Sequence, residues 1–436
     1  MDLTADQVAG LAPDAASLKA GQALASERRW SGLGRSERAL WGLCQGSGSK
    51  PYQTQVDSDG PAYRCSCPSR KVPCKHALGL LLLAAASPQA LPPAAPPEWV
   101  RQWLATRDQR EEQAQVRAEK QKAPDPAAQA RRAAQREERV RAGLDELERW
   151  LHDLARQGLA SAQARPYGFW DEAAARLVDA QAQALAGRLR GMGGLAAAGG
   201  EQWADALLEE AGLVQLLLSA YRRLETLPPD LQADVRTLVG WTVGQEEVLA
   251  GERFSDRWAV LGREVEEDER LRSQRVWLHG LERDRPALVL SFAAGGQPLD
   301  ASLAVGTVVD AELVFYPSAA PLRALVAERH GAPVRLEGLP GTSIADGLAA
   351  RADALARQPW LWRLPVCLAQ VVPVEQGGRW LAAEPGDHAV ELACTSLAGW
   401  RLAALAGGRP LALFGEWTRE RVRPLSAHAE GRFVFL

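Results

Sequence analysis

Between residues 65 and 76 the chain gathers Cys65, Cys67, Cys74 and His76, whereas its other cysteines, Cys44, Cys367 and Cys394, are scattered. Three sulfurs and an imidazole so close together restrict the local backbone, because all four side chains must turn to one point if they share an ion. Residues two apart in a strand point to the same side, so Cys65 and Cys67 can face an ion from a strand while Cys74 and His76 face it from the start of a helix. Soft thiolates with imidazole favour Zn²⁺ over Mg²⁺ or Ca²⁺ in tetrahedral coordination. Four protein ligands leave no open position for water or substrate, so the expected ion is one structural zinc rather than a catalytic one. The spacing does not say which ring nitrogen of His76 binds it. Six cysteines in 436 residues are too few for a disulfide scaffold, and a reducing cytosol would keep these thiols available.

The flanking sequence supplies the backbone that such a site needs. Residues 51–56 have the β-forming side chains and alternation of a strand, Asp57, Ser58, Asp59 and Gly60 are turn chemistry, and residues 62–67 form the return strand. After a proline-bounded loop over 68–73, the apolar run 76–86 reads as a buried helix stopped before Pro88. Cys-x-Cys, a six-residue gap and Cys-x-His in this setting resemble the SWIM zinc finger. The resemblance implies a ββα module over about 50–85, with Cys65, Cys67, Cys74 and His76 as ligands and a role in binding DNA or protein. More loosely, Trp30 to Arg35, Gln45 to Tyr52 and the long remainder look like an uncharacterised group of bacterial SWIM proteins with no assigned reaction.

The rest of the chain is expected to make this an α+β multidomain protein. The N-terminal region is placed at 1–90, with a helix over 3–25 and a short turn or helix over 35–43. Prolines 88, 92, 93, 96 and 97 mark a stiff linker, and the charged, helix-favouring sequence that follows reads as solvated helices or partial disorder, so 91–140 is taken as a connector. Apolar residues at helical spacing, such as Leu147, Leu151 and Leu154, predict a helical domain over 141–250. Short β-prone runs separated by Gly, Pro and Asp make 251–436 strand-rich, with helices expected at 322–328 and 344–357. Trp360, Trp362, Trp380, Trp400 and Trp417 are expected to fill its core.

Charge bears on partners only locally. The 51 Lys and Arg nearly cancel 54 Asp and Glu, which excludes a uniformly basic nucleic-acid coat. Near the finger, however, Arg64, Arg70, Lys71 and Lys75 carry positive charge with no acid between residues 61 and 76, and Lys50 and Tyr52 add a cation and a ring. These six form the candidate nucleic-acid or partner surface. Equally, cations beside a thiolate site can serve to stabilise its negative charge. Other signals are weak. Gly46 to Lys50 has the wrong glycine spacing for a phosphate loop, and Pro51 stands where Ser or Thr would hold Mg²⁺. Cys44, Cys367 and Cys394 read as buried small hydrophobes, with Cys44 able to approach the finger, and Arg165 to Glu172 as a possible partner surface. No convergent acid, base and nucleophile set is visible. The expectation is therefore a non-catalytic, zinc-dependent protein-interaction adaptor, with DNA binding by the basic face of the finger as the alternative. No membrane and no small-molecule substrate is expected. Apolar runs fall short of a bilayer span, from which a cytoplasmic protein is expected, and the scarcity of lysine beside abundant arginine and alanine suggests a bacterial genome.

Overall fold

The computed structural model describes residues 4–46, 50–58, 62–69, 71–120, 126–200, 202–267, 271–294, 297, 299–386 and 388–436. The chain is α+β: an N-terminal module with the cysteine cluster, a helical middle region and a strand-rich C-terminal region. Among the described residues there are thirteen α-helices and three sheets, one of them a closed barrel. None of those helices is long and apolar enough to cross a membrane.

The N-terminal module begins with α1 (Ala5–Gly10) and α2 (Ala15–Gln22), two helices where one was expected over 3–25. Thr4 and Gln7 form a capping box on α1, and Asp14, after Pro13, caps α2 by accepting from the Ser17 amide at 2.7 Å. Four antiparallel strands follow in sequential order, β1 (Trp30–Arg35), β2 (Ala39–Cys44), β3 (Tyr52–Asp57) and β4 (Ala62–Cys65). The expected turn or helix over 35–43 is thus a correction: those residues close one strand and form most of the next. Residues 59–61 of the expected turn between β3 and β4 lie outside the described residues, as do 47–49. Helix α3 (Lys75–Ala86) packs Leu78, Leu80, Leu81 and Leu83 against Val8, Leu40 and Val56. Consequently the finger is not a free ββα unit but part of a sheet with its own core.

The second face of that sheet is covered by the charged segment itself. In α4 (Glu98–Lys120), Val100 packs on Ala39 and Trp41, and Arg107 and Arg38 hold the fully buried Asp57 carboxylate at 3.1 and 3.2 Å. The start of this segment is therefore docked rather than solvated. The prolines before it also touch the module, where Arg35 donates to the Pro92 carbonyl at 3.0 Å and accepts from Ala94 at 2.9 Å. Helix α5 (Pro126–Gln157) is solvated at its start and buries Val140, Leu144, Leu147, Leu151 and Leu154 further on. It packs with α6 (Leu159–Gln163), α7 (Tyr167–Asp179), α8 (Gln183–Ala198), α9 (Trp203–Arg222) and α10 (Pro229–Val239), before α11 (Gln245–Leu249). Within residues 165–172, Trp170 is core and stands edge-on to Phe169 at 5.5 Å, and only Tyr167 presents a large exposed ring.

The barrel comprises β5 (Arg253–Glu267), β6 (Leu271–Gly280), β7 (Arg285–Ala294), β8 (Thr307–Phe315) and β9 (Arg323–Arg335) in the order β5-β6-β7-β9-β8, closed by β5 on β8. Within the barrel β7 and β9 pair in parallel, and the other described pairings are antiparallel. The expected helix at 322–328 is a strand, because Ala324 and Val326 point into the barrel with Trp258, Val276 and Leu313. Pairing with β7 and β8 overrides the local helical preference of Leu, Ala and Glu.

The last sheet is β12-β11-β10-β13-β14-β15, built from β10 (Arg363–Gln376), β11 (Arg379–Ala383), β12 (Ala389–Leu392), β13 (Leu411–Thr418), β14 (Arg421–Ala429) and β15 (Arg432–Phe435). Its helices are α12 (Ile344–Arg357), as expected, and α13 (Ser396–Ala406), which was not. Trp360, Trp380 and Trp417 are buried, whereas Trp362 is 43% and Trp400 61% exposed, so two of the five tryptophans expected in the core are surface rings. Trp362 lies under the Arg188 guanidinium at 4.9 Å, and Trp400 stands edge-on to Trp380 at 5.1 Å. Of the isolated cysteines, Cys44 is buried and Cys367 and Cys394 only half-buried. The contact of α13 with the sheet depends on Gly399, where a Cβ would stand 2.1 Å from the Trp380 ring. Gly399→Ala is expected to lift α13 and lower stability by about 1–3 kcal/mol, read as a shift in urea midpoint; an unchanged midpoint would show that the helix edge is not seated on that ring.

Candidate metal centre

The centre is assembled where β4 ends and α3 begins. Cys65 is the last residue of β4, and antiparallel register sets it opposite Thr54, whose hydroxyl lies 3.3 Å from the Cys65 sulfur. Just beyond, the Ser66 amide donates to the Gln53 carbonyl at 2.9 Å, and the Ser66 hydroxyl accepts from the Gln53 amide at 2.9 Å. This pinning continues the hairpin past the strand and carries Cys67 to the same side as Cys65. At the other end Cys74 is the N-cap of α3, with extended backbone, and His76 sits in the first turn. The amides of His76 and Ala77 at that helix start point to the Cys74 sulfur. They are the unpaired donors of a helix N-terminus, and they favour a thiolate there.

The four ligand atoms lie within 4.8 Å of one another. His76 turns Nδ1 to the group, 3.6 Å from the Cys65 sulfur and 4.0 Å from that of Cys74, which selects that nitrogen for the metal. Bond lengths of about 2.3 Å to sulfur and 2.0 Å to nitrogen set tetrahedron edges of about 3.5–3.8 Å, so contraction of a few tenths of an ångström up to about one closes the sphere. Cys65, Cys67, Cys74 and His76 are therefore positioned to hold one zinc ion, and their donor set fits it. Cys74 and His76 are buried and the other two half-buried, and the Tyr52 ring stacks beside the His76 ring at 4.9 Å.

Gathering these sulfurs is electrostatically demanding without a cation. Hydrogen bonding with Cys74, then burial, pushes the Cys65 thiol up to about 12, while burial raises Cys67. Cys74 is lowered, chiefly because Cys65 donates to it. A dication neutralises two of three thiolate charges and removes the reason for a shared proton. Beneath the site the buried Cys44 thiol is raised to about 11 by burial and, secondarily, by Cys65.

The candidate basic surface is partly committed elsewhere. Lys71 donates to Asp14 at 2.7 Å, and this contact holds the Asp14 carboxyl down at about 2. Tyr52 is half-buried against His76, and Lys50, Arg64 and Lys75 remain exposed. Arg70 lies outside the described residues. Sequence reading missed Thr54, Ser66 and Asp14 as supports of the centre; the first two follow from hairpin register once Cys65 is aligned, whereas Asp14 carries no sequence signal. It also missed that the module leans on the barrel, where Gln7 donates to the Gly306 carbonyl at 3.4 Å and the Tyr63 hydroxyl is buried beside Arg263 and Asp300.

Residues 52–85 match the family model of the SWIM zinc finger, and residues 135–239, from within α5 to the end of α10, match that of the SWIM-associated four-helix bundle domain. No curated protein and no solved structure matches the chain.

Proposed function

The chain is a SWIM-type zinc finger protein, and from that premise we propose that it is a non-catalytic protein-interaction adaptor whose zinc is structural. The observation that carries this reading is the closure of the donor set. Three sulfurs and Nδ1 of His76 face one point, and a tetrahedral ion held by all four has no site left to activate water. Work on a substrate is thus not what this zinc does; holding a surface in shape is. The division into 1–90, 91–140, 141–250 and 251–436 is retained as part of this proposal, together with a cytoplasmic location.

A surface suited to a protein partner lies on α13. Leu397 is 63% and Trp400 61% exposed, and with Ala404 they form a stripe at helical spacing, while Leu402 and Ala406 seal the opposite face to the sheet. Trp400 is propped by Trp380 rather than folded onto the surface, a preorganised ring of the kind that anchors interfaces. The occupant proposed is a different protein offering an apolar groove to this helix face. Nuclease-treated pull-downs with the full chain should retain a partner that Leu397→Asp with Trp400→Asp loses, with unfolding midpoint unchanged. Self-association through this face, or equal capture by the double variant, would refute it. The DNA-binding alternative rests on the exposed Lys50, Arg64 and Lys75, with Lys71 weakened by its pairing to Asp14. It requires capture that nuclease abolishes and affinity that falls steeply with salt.

A further inference from the structure

A cavity of about 630 Å³ lies where the helical region, the barrel and the C-terminal sheet meet. That volume is within the range of small-ligand pockets, and domain junctions are where such pockets concentrate. One wall is the outer face of β7. Alternation along this strand sends Ala287, Val289 and Ala293 into the barrel, and Leu288, Leu290 and Phe292 outward. Leu288 and Leu290 line the cavity, and the exposed Phe292 continues the strip beyond it. The neighbouring wall is the segment between β8 and β9. Here Tyr316 presents its ring, and the Arg323 guanidinium lies over that ring at 4.1 Å from its centroid. Among the described residues no carboxylate pairs with Arg323.

Across from these, Gln358 lines the cavity at the end of α12. It is 8% exposed, and among the described residues its Oε1 finds no hydrogen-bond donor. A buried amide oxygen left unpaired is costly, and a ligand N–H would relieve it. Asp234 also lines the cavity, but its carboxylate already accepts from the Ala319 amide at 2.8 Å and holds the β8–β9 segment in place. The site therefore combines an apolar platform, an aromatic ring, one unpaired cation and one unpaired acceptor. The barrel order adds context: five strands in the sequence first, second, third, fifth, fourth, with third and fifth parallel, are those of the barrel class that binds single nucleic-acid strands or sugars on its second and third strands and the loop before its fifth. The second strand is largely sealed here, because Trp277 on its outer face packs on Phe414 and Leu425, so the third strand is what stays open.

We propose that this cavity binds a nucleotide unit: the base lies on Leu288 and Leu290 beside Tyr316, its amino group donates to Gln358 Oε1, and its phosphate is held by Arg323. A free mononucleotide and the 5′-phosphorylated end of a single strand share this chemistry. The inference stands apart from the adaptor reading, since none of these residues touches the zinc centre or α13.

Equilibrium dialysis of the full chain would use adenosine monophosphate, adenosine, purine riboside monophosphate, which lacks the amino group, and a 5′-phosphorylated tetranucleotide. Adenosine monophosphate is expected to saturate one site, with adenosine and the purine analogue each about tenfold weaker. Gln358→Met should erase the preference over the purine analogue without lowering the unfolding midpoint, since it removes an unpaired acceptor rather than a bond. Arg323→Met should erase the preference over adenosine. Tighter binding of the tetranucleotide, with the same two losses, would assign the source as a strand end. No saturable binding of either adenosine monophosphate or the tetranucleotide up to about 1 mM, or wild-type affinities that ignore the amino and phosphate groups, would overturn the proposal. That wild-type comparison stands even if a variant fails to fold.

Discussion

Cys67→Ser is expected to reduce bound zinc from about one equivalent to a small fraction and to open residues 62–76 to rapid amide exchange. Zinc in isolated finger peptides contributes about 10–16 kcal/mol of apparent binding energy, nearly all of it coupled to folding. Here the loss should be several kcal/mol rather than that whole amount, because Val8, Leu40, Val56 and the leucines of α3 form a core that does not depend on the ion. What does depend on it is the end of β4 and the loop to Cys74, which among the described residues is secured chiefly by the backbone bond from Ser66 to Gln53. His76→Ala should act alike and in addition free the Tyr52 ring, which rests on the imidazole. Chelation of the wild-type chain should reproduce the exchange pattern, while β10 and β13 of the C-terminal sheet keep their protection. Metal analysis after dialysis with hydrogen exchange read by mass spectrometry makes the check. Unaltered protection over 62–76 in both variants and in chelator would mean that the four side chains converge for another reason.

The centre was legible because its information is local: two residues apart on a strand, two apart at a helix start, and a turn between strands each act through the backbone alone. The surrounding sheet was not. β1 and β2 contain Gly32, Gly34 and Gly42, which depress any strand reading, yet Gly34 and Gly42 are there to admit rings. A Cβ at Gly34 would meet the Trp41 ring at 2.5 Å, and one at Gly42 would meet Trp30 at 2.9 Å. Only the fold reveals that the absent side chains make room for tryptophans. β9 was misread for the opposite reason, since Leu, Ala and Glu favour helix locally while Ala324 is needed opposite Val289 and Phe315. α13 went unread: Thr395 caps it by accepting from the Ala398 amide at 3.3 Å and the left-handed Gly407 ends it, but Gly399 between them looks like a breaker until the Trp380 ring is seen against it. The charged stretch after the prolines misled in its turn. Its balanced charges look solvated, yet Arg107 reaches back to a carboxylate on β3. Lys71 looked free for phosphate because its acid, Asp14, is far away in sequence.

The second large effect is expected at the junction of barrel and sheet, from Glu416→Ala. Glu416 on β13 is completely buried and accepts a hydrogen bond from the Trp277 indole of β6, with Arg275 at 3.7 Å and Arg363 at 3.8 Å. Arg275 also faces Glu264 at 3.6 Å and Glu266 at 3.0 Å, and Arg423 pairs with Glu264. Three arginines thus balance three glutamates across the two sheets. Burial, with a smaller push from the neighbouring Glu416 and Glu266, raises Glu264 against the pull of Arg423 and Arg275, a sign that desolvation is not negligible at this junction. Removing one acid leaves a buried surplus of positive charge and an indole N–H without its acceptor, which should cost about 3–5 kcal/mol. The network need not be a net source of stability, since a pair of desolvated charges gains little over well-packed apolar groups. Two further variants separate these statements. Glu416→Gln keeps an acceptor for Trp277 but not the charge, and should fall between wild type and Glu416→Ala. Glu416→Met with Arg275→Met removes one charge of each sign and should recover most of the loss, so that the coupling between the two positions is large and favourable in a double-mutant cycle. Urea unfolding followed by hydrogen exchange at β6 and β13 measures each step. Additive losses from the two methionine substitutions would show that Arg275 and Glu416 act independently, leaving the apolar contact of Trp277 with Phe414 and Leu425 and the pairing of Arg423 with Glu264 to join barrel and sheet.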